Sequence, residues 1–313
     1  MHAPLRLQVL DEDRDAYAAL LSAAPAFARQ AVLLDAALAE ADGAADIALG
    51  QPDRVAAALR AGQRYRWVQS TWAGITPLLA DDLPRDYALT GLAGIFGPWM
   101  AEYVLAYLLL LDQRIDRRRA AQRRGEWAPR LPRRLGRRRV AILGTGDIGT
   151  AIACALLPFG CAVTGVSRSG DAVAGFERVL PVHRLHEALA ACDTLVCTLP
   201  DTPATRGLLD ATAFAALPAG AVFLNVGRGS VVDEQALVEA LQSGRLAHAV
   251  LDVTRHEPLP AGNPLWSLPN VELSFHTAGP SRPDEIVPLF LDNLERFAVG
   301  APLRRRVDFE RGY

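Results

Sequence analysis

Residues 140–149 read VAILGTGDIG. Four apolar residues bounded by glycine have the length and composition of a buried strand, and the alanine-rich "GTAIACALLPFG" that overlaps and follows reads as a helix. The glycine spacing suits the turn between them. Gly144 permits a tight turn, Gly146 lets backbone approach a pyrophosphate, and Gly149 allows close helix–strand packing. The phosphates would then lie over the helix N-terminus, where free N–H groups and the helix dipole favour negative charge. A lone GxGxxG is weak evidence; one that follows a strand and opens a helix is considerably stronger. Gly144, Thr145, Gly146, Asp147, Ile148 and Gly149 are therefore expected to cradle a dinucleotide.

The next strand, CAVTGV, runs into Ser167, Arg168 and Ser169. About 20 residues after the glycine loop, an acid usually accepts hydrogen bonds from the adenosine ribose. Here an arginine stands among hydroxyls. A carboxylate would repel a 2′-phosphate, whereas a guanidinium attracts it and can fork two hydrogen bonds to it. NADP is the expected cofactor and NAD remains possible. The competing reading leaves these residues as a solvated turn and bends Asp171 back to the ribose.

The same alternation extends along the chain. "LRLQVL", "ADIALG" and "YRWVQS" read as strands separated by helical "AYAALLSAA" and "RVAAALRAG". After a long helix expected over 98–119, a second series follows. Strands "RVAIL", "CAVTGV", "DTLVCTLP", "AVFLNVG", "HAVLDV" and "VELSFH" alternate with helices, and "RPDEIVPLFLDNLERFAVG" closes the chain as an amphipathic helix. Strands alternating with helices argue for parallel sheets with crossovers. An α/β protein of two doubly wound parallel-sheet domains is expected, and 313 residues agree with two domains.

Composition excludes several functions. The formal net charge is −2, which gives no global reason to expect a nucleic-acid or membrane partner. All 33 basic residues are arginine, so Schiff-base and lysine general-base chemistry are out. The arginine-rich stretch 114–139 reads either as a solvated connector or as a nucleic-acid contact, and its single aromatic, Trp127, favours the connector. Cys154, Cys161, Cys192 and Cys197 form no CxxC pair, lie in apolar surroundings and are expected as buried thiols in a reducing compartment. The opening "MHAPLRLQVLDEDRD" lacks a secretory leader pattern, so a cytoplasmic location is expected. No metal site is expected.

Three later segments place polar groups at apolar strand ends. They are Arg228 in "LNVGRGSVVDEQAL", Asp252 and Glu257 in "LDVTRHEPLP", and His276 in "FHTAGP". In an open parallel sheet, ligands bind outside the carboxyl ends of the strands. Carbonyl reduction needs such a set. An arginine binds a carboxylate and polarises a carbonyl, a histidine delivers a proton near working pH, and a carboxylate orients the histidine.

Taken in order from about Pro98 to Gly279, "GTGDIG", "LPDTPATRGLL", "LNVGRGSVVDEQAL", "LDVTRHEPLP" and "FHTAGP" resemble the successive signatures of the D-isomer-specific 2-hydroxyacid dehydrogenases. "VQSTWAG", "GPWMAEYVLAYLL" and "SRS" make the chain similar to the glyoxylate/hydroxypyruvate reductase A branch. The resemblance implies a Rossmann domain, residues 97–276, inserted into a flavodoxin-like substrate domain of residues 1–96 and 277–313. It implies Arg228, Glu257 and His276 as the catalytic set. It further implies that Asp252 meets the nicotinamide carboxamide and that backbone around Leu199, Pro200 and Val226 lines the cofactor. Ala73 and Gly74 would offer N–H groups to the substrate carboxylate, with Trp72 and Trp99 as pocket walls, and the long helix would pack in a homodimer. The expected activity is NADPH-preferring reduction of a small 2-oxo acid, glyoxylate or hydroxypyruvate. A larger 2-oxo acid such as 2-ketogluconate, or a weakly catalytic cofactor sensor, are the alternatives. Thr254 and Arg255 depart from the family pattern and bear on pocket polarity.

Overall fold

A computed structural model describes residues 4–34 and 45–312; the first three residues of the N-terminal stretch read for a leader lie outside them. The chain divides into two compact units, residues 1–95 with 281–313, and residues 96–280.

The first unit carries β1 (Leu5–Leu10), β2 (Ala31–Leu33), β3 (Ile47–Gly50), β4 (Trp67–Ser70) and β5 (Ala88–Thr90). All pair in parallel, in the order β2-β1-β3-β4-β5, which is the flavodoxin-like order. The helix Pro283–Ala298 supplies Ile286, Phe290 and Leu294 at four-residue spacing, and this stripe is fully buried. Phe290 stacks on Trp67 with ring centroids 5.1 Å apart, and the Trp67 indole donates to Thr90 Oγ1 at 2.8 Å.

The second unit carries β6 (Arg139–Leu143), β7 (Ala162–Ser167), β8 (Arg178–Pro181), β9 (Thr194–Cys197), β10 (Ala221–Asn225), β11 (Leu246–Leu251) and β12 (Val271–Leu273). The order is β12-β11-β10-β9-β6-β7-β8, and every pairing is parallel. The chain starts at β6, builds outward to β8, and returns to β9 on the other side. That reversal opens a crevice beyond the carboxyl ends of β6 and β9, where doubly wound sheets bind nucleotides. β9 and β10 are buried at every position, as central strands covered by helices on both faces must be.

The long helix expected over 98–119 is two helices, Phe96–Asp112 and Ile115–Arg123. Arg114 breaks it with φ +52°. The last residue of the first helix, Asp112, is buried in a forked ion pair with Arg138 at 2.6 and 2.8 Å. That tether fixes the helix end, and the chain turns away through the left-handed arginine. Short β2, β5 and β8 were not evident as strands from the sequence, whereas β3, β4, β9 and β12, equally short, lie inside the longer runs read as strands. Among the described residues no helix is long and apolar enough to cross a membrane. Three cysteines are buried as expected, but Cys154 is exposed on its helix.

Candidate active site

Gly144 takes φ +99° and donates its N–H to Val166 O at 2.9 Å, which locks the turn after β6 against the end of β7. A Cβ on Gly149 would run into the Gly144 carbonyl oxygen, so the helix Asp147–Leu156 can pack this closely only with glycine there. Gly146, the N-cap of that helix, differs. A Cβ at this position would meet no protein atom within 4 Å. The bare backbone therefore faces open space at a helix N-terminus, which fits a pyrophosphate. Thr145 accepts a hydrogen bond from the Thr150 hydroxyl at 3.2 Å, and Ile148 packs against the core under the sheet.

The loops after β9 and β10 close beside this turn. Thr198 Oγ1 donates to Leu143 O at 2.9 Å, and a Cβ on Gly227 would press on Leu199 backbone at 2.7 Å. Val226 is buried and Pro200 O accepts the Thr205 hydroxyl at 2.6 Å. At the end of β7, Ser167 Oγ accepts the Gly170 N–H at 3.0 Å and Arg168 is exposed. The Asp171 carboxylate accepts from the Ser169 hydroxyl at 2.5 Å.

Arg228 follows β10 in a turn framed by Asn225, whose amide accepts from Gly227 N at 3.1 Å and donates to Arg228 O at 3.2 Å. A Cβ on Gly229 would overlap Thr254 backbone, so the turn nests tightly against the loop after β11. Among the described residues, the Arg228 guanidinium hydrogen-bonds only its neighbouring Gly227 carbonyl, at 2.6 Å. Burial pushes its pKa down, while the charges of Glu257, Asp201 and Asp252 oppose that shift.

Asp252, at the end of β11, is buried. Its Oδ1 accepts from the Ser274 hydroxyl at 2.6 Å and from the N–H groups of Thr277 and Ala278 at 2.8 and 3.0 Å. Its Oδ2 is buried and, among the described residues, has no hydrogen-bond partner. A buried carboxylate oxygen seldom lacks a donor, and this one fits the carboxamide N–H of a nicotinamide.

β12 stops at Leu273, three residues short of His276. Phe275 and His276 then take φ +58° and +60°, a conformation that costs a non-glycine residue roughly 1–2 kcal/mol. In this pose His276 Nδ1 lies 2.8 Å from Glu257 Oε2, while Glu257 Oε1 accepts the Thr254 N–H at 3.0 Å. Thr254, one of the two departures in the sequence, thus holds the glutamate through its backbone. Burial pushes the Glu257 carboxyl up, but the His276 and Thr254 hydrogen bonds and the nearby charges outweigh it and hold the group below its usual value. A cavity of about 440 Å³ opens beside the pair, walled by Leu259, Trp266, Leu273 and Phe275.

The second unit therefore brings Arg228, Asp252, Glu257 and His276 together at the carboxyl ends of neighbouring strands. Such a constellation can bind an anion, polarise a carbonyl and deliver a proton. Trp99 lies half-buried in the first turn of the helix Phe96–Asp112 of this unit. Trp72, Ala73 and Gly74 belong to the first unit, in the turn after β4. There the Ser70 hydroxyl bonds the Trp72 carbonyl at 2.8 Å and its oxygen accepts the Trp72 N–H at 3.1 Å. Sequence reasoning missed Asn225, Ser274 and Tyr103. Asn225 lies inside the quoted motif around Arg228; Tyr103 and Ser274, 171 residues apart, carry no local signal.

Residues 105–278 match the family model described as "D-isomer specific 2-hydroxyacid dehydrogenase, NAD binding domain". The chain is 32% identical over 259 residues to glyoxylate/hydroxypyruvate reductase A of Klebsiella pneumoniae (strain 342), covering 80% of this chain and 83% of that protein. The D-isomer-specific 2-hydroxyacid dehydrogenase of Xanthobacter autotrophicus Py2, solved with NADPH and MES, superposes with a TM-score of 0.86 at 36% identity, covering 99% of this chain and 100% of that one. The NADPH-dependent glyoxylate/hydroxypyruvate reductase of Sinorhizobium meliloti, solved with NADP and sulfate, gives 0.86 at 30% identity with the same coverage. The chain belongs to the D-isomer-specific 2-hydroxyacid dehydrogenase family and is an NAD(P)-dependent oxidoreductase.

Proposed function

We propose that the protein reduces small 2-oxo acids, glyoxylate or hydroxypyruvate, to glycolate or glycerate, with NADPH preferred over NADH. The observation that carries this reading is a desolvated guanidinium at Arg228, which among the described residues pairs with no carboxylate, beside the 2.8 Å Glu257–His276 pair. Arg228 binds the substrate carboxylate and polarises the carbonyl. When bound, NADPH supplies hydride to C2, so the carbonyl oxygen gains an electron pair and takes a proton from His276 Nε2. Glu257, on Nδ1, orients the ring. Gly144, Thr145, Gly146, Asp147, Ile148 and Gly149, with Leu199, Pro200 and Val226, hold the dinucleotide, and Asp252 Oδ2 takes the carboxamide. Ser167, Arg168 and Ser169 take the 2′-phosphate, which requires Ser169 to turn its hydroxyl away from the Asp171 carboxylate it meets at 2.5 Å. The relatives with NADPH or NADP bound, and the reductase A names, support cofactor and substrate class.

The alternative is reduction of a larger 2-oxo acid such as 2-ketogluconate; the 440 Å³ cavity beside His276 is not lined by Arg228 and does not favour it. Steady-state rates on glyoxylate, hydroxypyruvate, pyruvate and 2-ketogluconate, each with NADPH and NADH, separate the two. Highest kcat/KM on the two-carbon or three-carbon acids with NADPH supports the first; highest kcat/KM on 2-ketogluconate replaces it with the second. A homodimer in the cytoplasm completes the proposal, the free thiols being in keeping with a reducing compartment.

A further inference from the structure

Consecutive left-handed residues at Phe275 and His276 must be held by their surroundings, and the hold converges on Asp252. Its carbonyl accepts the His276 N–H at 2.6 Å, and its Oδ1 accepts Ser274 Oγ, Thr277 N and Ala278 N. One residue thus fastens the corner on both sides of the histidine. The single Ser274 hydroxyl proton is committed to this carboxylate. In the 2.7 Å contact between Ser274 Oγ and the Tyr103 phenol, Tyr103 is therefore the donor. A directed chain runs from Tyr103 on the helix Phe96–Asp112, through Ser274, to Asp252 and the corner. Because its proton already serves Ser274, Tyr103 is not placed as a second proton source.

We infer that Ser274 and Tyr103 are positioning residues for the proton-transfer step: through Asp252 they hold residues 274–278 in the geometry that aims His276 at the reacting oxygen. This rests on the reading of His276 as proton donor. A loss of alignment of about 1 Å can cost on the order of 10²-fold in rate without weakening binding.

Ser274→Ala, Ser274→Thr, Tyr103→Phe and a His276→Ala control would be assayed with NADPH and the best 2-oxo acid. For Ser274→Ala the expected result is a kcat about 10- to 100-fold lower, with substrate KM and NADPH Kd within about twofold of wild type. Its solvent isotope effect on kcat should rise, because proton transfer becomes slower. Ser274→Thr, which keeps the hydroxyl, should recover kcat to within about threefold, and Tyr103→Phe should cost about 3- to 10-fold. Ser274→Ala with unchanged kcat overturns the inference, as does threonine rescuing no better than alanine. A parallel fall of kcat, NADPH affinity and melting temperature also overturns it, since that pattern marks general loosening. If His276→Ala keeps near-normal turnover, the proton-donor reading itself fails, an outcome distinct from the others.

Discussion

Two arginines of the seven-stranded unit stand near carboxylates at opposite ends of the strands, and they are treated in opposite ways. Arg138, just before β6, forks onto both oxygens of Asp112 and gives a third hydrogen bond to Thr194 Oγ1 at 2.7 Å. Both side chains of the pair are at most 4% exposed. Arg228, just after β10, has Glu257, Asp201 and Asp252 near enough to act on its charge, yet pairs with none. Asp201 and Glu257 are already committed to other donors, and Asp252 is committed through one oxygen only. Asp201 accepts from Arg206 at 2.7 Å and from Ser230 at 2.8 Å, Glu257 faces His276 and Thr254, and the Oδ1 of Asp252 takes three donors. A saturated buried pair fixes the fold; a desolvated cation kept from its neighbours is poised for an anion from outside.

The contrast has measurable consequences. Arg138→Ala leaves Asp112 charged and buried alone, and should destabilise the protein by about 3–5 kcal/mol. Chemical denaturation reads this, with the KM of the remaining folded enzyme little changed. Arg228→Gln should do the reverse, lowering kcat/KM by about 10²- to 10³-fold while leaving the melting temperature near wild type. Equal destabilisation by both would remove the distinction. Arg168→Asp should reduce kcat/KM with NADPH by about 10-fold or more and leave NADH use much less affected, as expected for a lost charge-assisted bond to the 2′-phosphate. Equal losses with both cofactors would mean that Arg168 only holds the turn.

The smallest effect concerns pH. Glu257 is held below its ordinary 4.5. A depressed folded pKa means that the His276–Glu257 contribution is present above about 4.5 and is lost as pH falls through the lower folded value. An NMR titration of the Glu257 side-chain carboxyl should therefore place its midpoint under 4.5, and Arg228→Gln, which removes one of the lowering charges, should move it upward. A midpoint above 4.5 in the wild type contradicts the geometry.

The crevice was legible because its determinants are local. Glycines two and three apart after an apolar run specify a turn whatever lies elsewhere, and alternating strands and helices specify a parallel sheet. Arg228, Asp252 and His276 were visible as polar groups where apolar runs stop. The break at Arg114 was not legible, since it depends on Asp112 meeting Arg138, 26 residues away. The strand end before His276 was also misjudged. "VELSFH" alternates like a strand to its last residue, but the Asp252 carbonyl captures the His276 N–H and turns the corner.

By itself, the sequence determined the two α/β sheets, the dinucleotide turn and the family, because hydrophobic period and glycine spacing act over a few residues. Only the tertiary structure decided which arginine is closed and which is open, why Asp252 has one clamped oxygen and one orphan, and how a histidine is held at φ +60°. Those properties depend on which distant donors reach each carboxylate first, and hydrogen-bond saturation is settled only when the whole unit has packed.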